Sequence, residues 1–163
     1  WKGPSAAKDV QRAAREFWLA SGAAGARWLV GRLRDEVLVE PLHAAAALLA
    51  DLGQAGIGPI VEGLLGDPSH DQAIALLKAL GWLGESDSPP RLEGAQAELI
   101  LADCLLDDDP DMREAAACAM HLIRPERAVR WLEHWLRDET DSEVRRTIEE
   151  ELSHHRVLGR TER

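Results

Sequence analysis

Two kinds of side chain in this 163-residue chain could do chemistry: arginines set in similar segments, and six histidines. Arg27 precedes and Arg34 lies within WLVGRLRD, residues 28–35, and Arg130 and Arg137 occupy the same places before and within WLEHWLRD, residues 131–138. A guanidinium is a rigid fork of donors that matches a carboxylate, so the chemistry on offer is recognition of an acidic partner. If Trp131, Leu132, Trp135 and Leu136 face a core, then Arg130, Glu133, His134 and Arg137 face out. Their equivalents are Arg27, Val30, Gly31 and Arg34 in the first copy, and Pro59, Glu62, Gly63 and Gly66 in IVEGLLGD and its flanks. The candidate partner-binding set is therefore Arg27, Arg34, Glu62, Arg130, Glu133, His134 and Arg137.

Metal or catalytic chemistry finds less support. His43 and His121 are isolated, His70 precedes an aspartate, His134 follows a glutamate, and His154–His155 lies near the end. No histidine–glutamate dipeptide in that order recurs at equivalent places, so these read as ordinary surface or helix-end histidines. The terminal pair suits the negative end of a helix dipole. Cys104 and Cys118 are too few for a disulfide framework and read as small buried hydrophobes. No glycine-rich phosphate loop is present, and nothing arranges a Ser/His/Asp triad. No metal, no cofactor and no enzymatic activity are expected.

The elements that position these residues are helices. The clearest stretch is Asp108 to Asp138. Pro110 suits a first helical position, Asp109 and Asp111 suit the positive dipole end, and Met112, Ala115, Ala116, Ala119 and Met120 form an apolar stripe. A second helix opens at Arg124-Pro125-Glu126 and carries Val129, Trp131, Leu132, Trp135 and Leu136. Neither helix can bury its seam alone. Aspartates 35, 67, 108 and 138 close similar segments at intervals of about 30–40 residues, the period of a helical repeat array.

Along the chain, Ser5 opens a helix with Val10, Ala13, Ala14 and Phe17 on one face, and SGAAG, residues 21–25, turns into the Trp28 helix. A helix from Pro41 stops at Gly53, and GQAG repeats the first turn. A helix around residues 59–65 follows. Ser69 and Gln72 form a capping box for the helix to Gly84, and Thr140 and Glu143 form another for a last helix with Val144, Ile148 and Leu152. Residues 85–93, rich in proline and polar residues, make a projecting mobile loop before the helix at 94–106. The expectation is an all-α fold, an α-solenoid of about four helical hairpins plus a terminal helix, forming one domain over residues 1–163.

Composition bounds the partners. There are 29 acidic and 19 basic side chains, a net charge of −10, which disfavours nucleic acid, whose binding depends on phosphate neutralisation, and anionic membranes. No apolar run reaches the ~20 residues of a membrane span and no signal peptide opens the chain, so a cytoplasmic location is expected. Both end helices present polar outer sides, Lys8, Gln11, Arg12, Arg15 and Glu16 at one end and Glu143, Arg145, Arg146, Glu149 and Glu150 at the other. Residues 5–155 are thus expected to make a self-contained solenoid and a monomer.

DPDMREAAACAM and TDSEVRRTIEEEL resemble the first helices of HEAT repeats, of the HEAT-like type found in phycobilisome lyases. Met112-Arg113 and Val144-Arg145 occupy that pattern's aliphatic–Arg positions, with Leu42-His43 as the pair in the second repeat. The resemblance implies a non-enzymatic protein-interaction scaffold, with first helices on the convex face and second helices lining the concave one. It also raises alternatives. HEAT-like bilin lyases act on pigment, and HEAT-like alkylpurine DNA glycosylases use Trp and Asp on a basic concave face, whereas this chain is acidic. HEAT-like deoxyhypusine hydroxylases bind iron through paired His-Glu motifs, which do not recur here. Trp28 and Trp131 fall at one repeat position, as packing between hairpins requires.

Overall fold

The computed structural model describes residues 4–33, 39–83, 95–123 and 125–161. The elements are α1 (Pro4–Leu33), α2 (Val39–Asp51), α3 (Gln54–Leu65), α4 (His70–Leu83), α5 (Ala95–Cys104), α6 (Pro110–Ala119), a 3-10 turn (Met120–Leu122), α7 (Pro125–Trp135) and α8 (Ser142–Thr161). No strand occurs among the described residues. The all-α solenoid expected from the repeats is the fold. Its first turn is tighter than expected, because α1 runs through residues 21–25 and breaks only at Gly22 (φ 52°, ψ −138°). Gly53 adopts nearly the same conformation (φ 57°, ψ −136°) between α2 and α3. Such positive φ is open to glycine at little steric cost, so the two equivalent turns are made by the same device. The helix expected around residues 59–65 begins earlier, at Gln54, and carries Pro59 inside it. The loop expected at 85–93 lies outside the described residues.

Sequence cues set most helix starts. The Asp109 side chain accepts the Asp111 N–H at 2.8 Å, with Pro110 opening α6. Ser69 and Gln72 form the expected reciprocal cap of α4, at 3.0 and 3.4 Å. At α8 the cap is not Thr140. Asp141 accepts from the Glu143 and Val144 N–H groups at 2.9 and 3.1 Å, which makes it the repeat counterpart of Asp109. An aspartate next in line supplies a charged acceptor at the positive helix end, the stronger cap there.

The first helices α2, α4, α6 and α8 pack each upon the next, and the second helices form a neighbouring layer in which the latter part of α1 packs on α3. Central α4 contributes Leu76, Leu77 and Leu80, all essentially inaccessible, to one contiguous core. The aliphatic–Arg pairs now have a physical role. Met112 and Val144 are buried, while the arginine beside each folds back on the carbonyls that end the preceding repeat. Arg113 donates to the Asp107 and Asp108 carbonyls, both at 2.9 Å. Arg145 donates to those of Leu136 and Glu139 at 3.0 and 3.3 Å. Leu42 is buried as its place in the pattern requires; the His43 side chain lies outside the described residues.

Two expectations about aromatic residues fail. In α1 the described part of the expected inward stripe faces water, with Ala13 and Ala14 exposed and Phe17 79% exposed, while the Val10 side chain lies outside the described residues. Trp18, one residue on, turns in, packs on the core and donates its indole N–H to the Leu48 carbonyl at 2.8 Å. Arg15 joins it by pairing with Asp51 at 2.9 Å. The larger side chain, with a hydrogen bond to make at the end of α2, decides which face of α1 turns in. The polar outer side expected at this end is therefore partly apolar. Trp28 is 64% exposed, whereas Trp131 is half-buried. The buried stripe of α1 here is Ala26, Val30 and Leu33. It sits one residue out of register with Ala128 and Leu132 of α7, so matching letters do not present matching faces.

Candidate functional site

Helix α7 is the most sharply two-faced element. Ala128 and Leu132 are fully buried; Glu126, Arg127, Arg130, Glu133, His134 and Arg137 are exposed at or just beyond it. Arg130 lies on α7 and Arg137 in the turn that continues it past Trp135, seven residues or about two helical turns further on. Neither guanidinium has a hydrogen-bond or ion-pair partner among the described residues.

A cavity flanks α7 on each side. Between α5 and α7 lies one of 540 Å³, lined by Glu98, Leu99, Arg127, Arg130, Trp131 and His134. Arg127 and Glu98 form an ion pair across it, and Leu99 is 61% exposed, so an apolar wall stands beside an unpaired cation. Between α7 and α8 lies one of 520 Å³, where Arg137 meets Leu136, Leu152 and two ion pairs. These are Arg156–Glu133 at 2.7 Å and Arg145–Glu149 at 3.5 Å. Glu133 stands three residues after Arg130 and four before Arg137, so it is their natural helical partner. Arg156 draws that carboxylate toward α8 and leaves both arginines open.

The seven candidate residues are thus divided. Arg130 and His134 share the first cavity, Glu133 and Arg137 the second. Arg27 and Glu62 form an ion pair with each other at 3.2 Å, linking α1 to α3. Arg34 lies outside the described residues. The reason is how closely the helices approach. A Cβ on Gly63 would lie 2.6 Å from Val30 Cγ1, so glycine lets α3 sit directly on α1 and closes the space that stays open at α7. Val30, Pro59 and Gly63, outward by alignment, are buried. Trp131, expected in the core, is half-buried: it packs against the core and also lines the first cavity. Arg127, three residues before Arg130, was within reach of helical spacing. Leu99, Glu98, Arg145 and Arg156 come from other helices, and no local pattern marks them.

The remaining titratable groups are structural in setting. His70 pairs with Asp109 between the starts of α4 and α6; that hydrogen bond raises the imidazole's affinity for a proton and lowers that of the carboxyl. His155, expected with His154 in a last helical turn, lies well inside α8, which runs on to Thr161; it is buried with neither ring nitrogen partnered, and burial pushes its pKa down to about 4. Burial pushes Glu151, one turn earlier, up to about 7, with Glu150 adding to it. Desolvation also raises both thiols, Cys104 and Cys118, to about 11, as suits half-buried hydrophobes. Among the described residues no group of three or more His, Cys, Asp or Glu is placed to hold a metal ion. No helix among the described residues is long and apolar enough to cross a membrane.

No curated protein and no solved structure gives a match to the chain. Residues 93–153, running from about the start of α5 well into α8, match the family described as HEAT repeats, and that likeness fits the all-α solenoid.

Proposed function

We propose that the protein is a non-catalytic interaction scaffold that binds an acidic segment of a protein partner on its concave face, along the exposed side of the second helix α7. The observation that carries this reading is the pair Arg130 and Arg137, exposed and unpaired among the described residues in a chain of net charge −10. Exposed cations in so acidic a molecule normally find an internal carboxylate, as Arg27 and Arg127 do. The rest of the acidic surface repels an acidic ligand and so favours its landing at this one place. The HEAT-repeat match at residues 93–153 supports the reading, since a solenoid offers extended surfaces of this kind. Nucleic acid and membranes are not partners in this reading, and the setting is cytoplasmic.

The test is selection of ligands from a displayed library of random twelve-residue peptides. Selected peptides are expected to be acid-rich and to lose more than about tenfold in affinity when Arg130→Glu and Arg137→Glu are combined, with helicity unchanged by circular dichroism. Failure to select any peptide, or selected peptides that bind the double variant equally well, would overturn the reading. The finer kinship with HEAT-like repeats of phycobilisome lyases rests on the Met112-Arg113 and Val144-Arg145 pairs. It has its own test, the absorbance change on mixing with a bilin.

A further inference from the structure

We infer that the two cavities beside α7 form one two-point site that reads an acidic peptide by the spacing of its carboxylates and by one apolar side chain, a refinement resting on the scaffold reading above. Arg130 stands on α7 and Arg137 seven residues on, in the hydrogen-bonded turn that continues it past Trp135; at about the helical rise of 1.5 Å per residue their Cα atoms lie about 10 Å apart along the axis. A polyproline-type chain advances about 3.1 Å per residue with three residues per turn. Its residues i and i+3 therefore share a face about 9 Å apart, within the reach of two long guanidinium arms. Each cavity, at 540 and 520 Å³, has room for side chains, not for a whole helix of ~10 Å diameter, which favours an extended ligand.

The two ends of the site are chemically unequal, which gives it direction. At the Arg130 end, half-buried Trp131 and exposed Leu99 form an apolar wall beside the cation. An apolar side chain next to the first carboxylate gains contact there. At the Arg137 end, two internal ion pairs, Arg156–Glu133 and Arg145–Glu149, surround the remaining unpaired guanidinium. Leu136 and Leu152 also line that end but are half-buried and buried, so it offers chiefly charge recognition. The preferred ligand carries an apolar residue, an acid, two spacer residues and a second acid, in that order.

The experiment uses fluorescence anisotropy with three labelled peptides and the full chain. The first has the core leucine, glutamate, two prolines, glutamate. The second replaces both glutamates by glutamines. The third adds one proline, which turns the second carboxylate a third of a turn away. Exposed ion pairs of about 0.7 kcal/mol correspond to about threefold each. The first peptide is therefore expected to bind about tenfold tighter than the second and about threefold tighter than the third. Arg137→Ala removes the difference between the first and third, and Leu99→Ser weakens all three. Equal binding of the first and third peptides, or a ranking unchanged by Arg137→Ala, overturns the two-point site. If library-selected acidic ligands still depend on Arg130 and Arg137 while these peptides bind alike, the scaffold reading stands and only the spacing rule falls. If selected ligands ignore both arginines, the scaffold reading itself falls.

Discussion

At the scale of the residue, Arg113 ties two repeats together. Besides its two carbonyl bonds, it grips the Glu139 carboxylate through Nε at 2.8 Å and Nη2 at 3.0 Å. The side chains are 16% and 6% exposed. Glu139 in turn accepts the N–H groups of Thr140 and Asp141 at 2.9 and 2.8 Å, so one guanidinium ties the end of the third repeat to the turn before α8. Removing one partner of a largely buried pair leaves the other uncompensated. Arg113→Ala is expected to cost about 3 kcal/mol at neutral pH, and Arg113→Lys to recover only part of it, because an ammonium lacks the fork. The pH dependence has a definite sign. Arg113 above all, then the two backbone donors, hold the Glu139 carboxyl below its ordinary value. Its stabilising contribution is therefore full above the ordinary carboxylate range and is lost as pH falls through the depressed folded value. Urea titrations between pH 3 and 7 should show Glu139→Gln flattening this acid limb.

Glu151 has the opposite sign. Its carboxyl, raised to about 7 chiefly by burial, binds its proton more tightly folded than unfolded. The stability linked to that proton is full below the ordinary carboxylate value of 4.5 and is lost as pH rises through about 7. Glu151→Gln should therefore raise Tm relative to the parent at pH 8 and leave it nearly unchanged at pH 4. A parallel shift at both pH values would mean that the carboxyl is not what titrates.

At the scale of the element, α1 is the instructive case. Its sequence offers two faces about 100° apart, one through Phe17 and one through Trp18. Periodicity weighs them nearly equally, and packing against the end of α2 chooses Trp18. Substitution separates the two readings. Phe17→Ser should stay within about 0.5 kcal/mol of the parent, as surface changes do. Trp18→Ala should cost about 3 kcal/mol by loss of contacts and of the hydrogen bond to Leu48. Chemical denaturation of both variants is the measurement, and a costly Phe17→Ser would restore the original face. The caps tell the complementary story. Asp109-Pro110 and the Ser69–Gln72 box were legible because capping is local, whereas the choice of Asp141 over Thr140 turned on the geometry of the turn.

At the scale of the molecule, the spacing of the second helices separates a closed surface from an open one. Gly63 lets α1 and α3 meet; at α7 the bulk of Trp131 and the Arg127–Glu98 bridge accompany an open cavity. Gly63→Ala would put a methyl 2.6 Å from Val30 and 3.1 Å from Leu76. It is expected to cost about 2 kcal/mol as overpacking, read as a lower urea midpoint. An unchanged midpoint would show that α1 and α3 separate freely.

What the sequence determined by itself is the array: the helices, the order of the repeats, the paired glycine turns and the buried aliphatic–Arg starts. Each of these follows from forces acting within a few residues or from a period repeated along the chain. The outward placement of Arg130, Glu133, His134 and Arg137 was legible for the same reason, since α7 is amphipathic enough to fix its own rotation. The rotation of α1, and with it the exposure of Phe17 and Trp28, was decided by tertiary structure. So was the pairing of Arg27 with Glu62, and the withdrawal of Glu133 by Arg156 that leaves two arginines open. Those outcomes depend on which helices come close and how close, and that distance is set by side chains far apart in the chain, such as Val30 against Gly63.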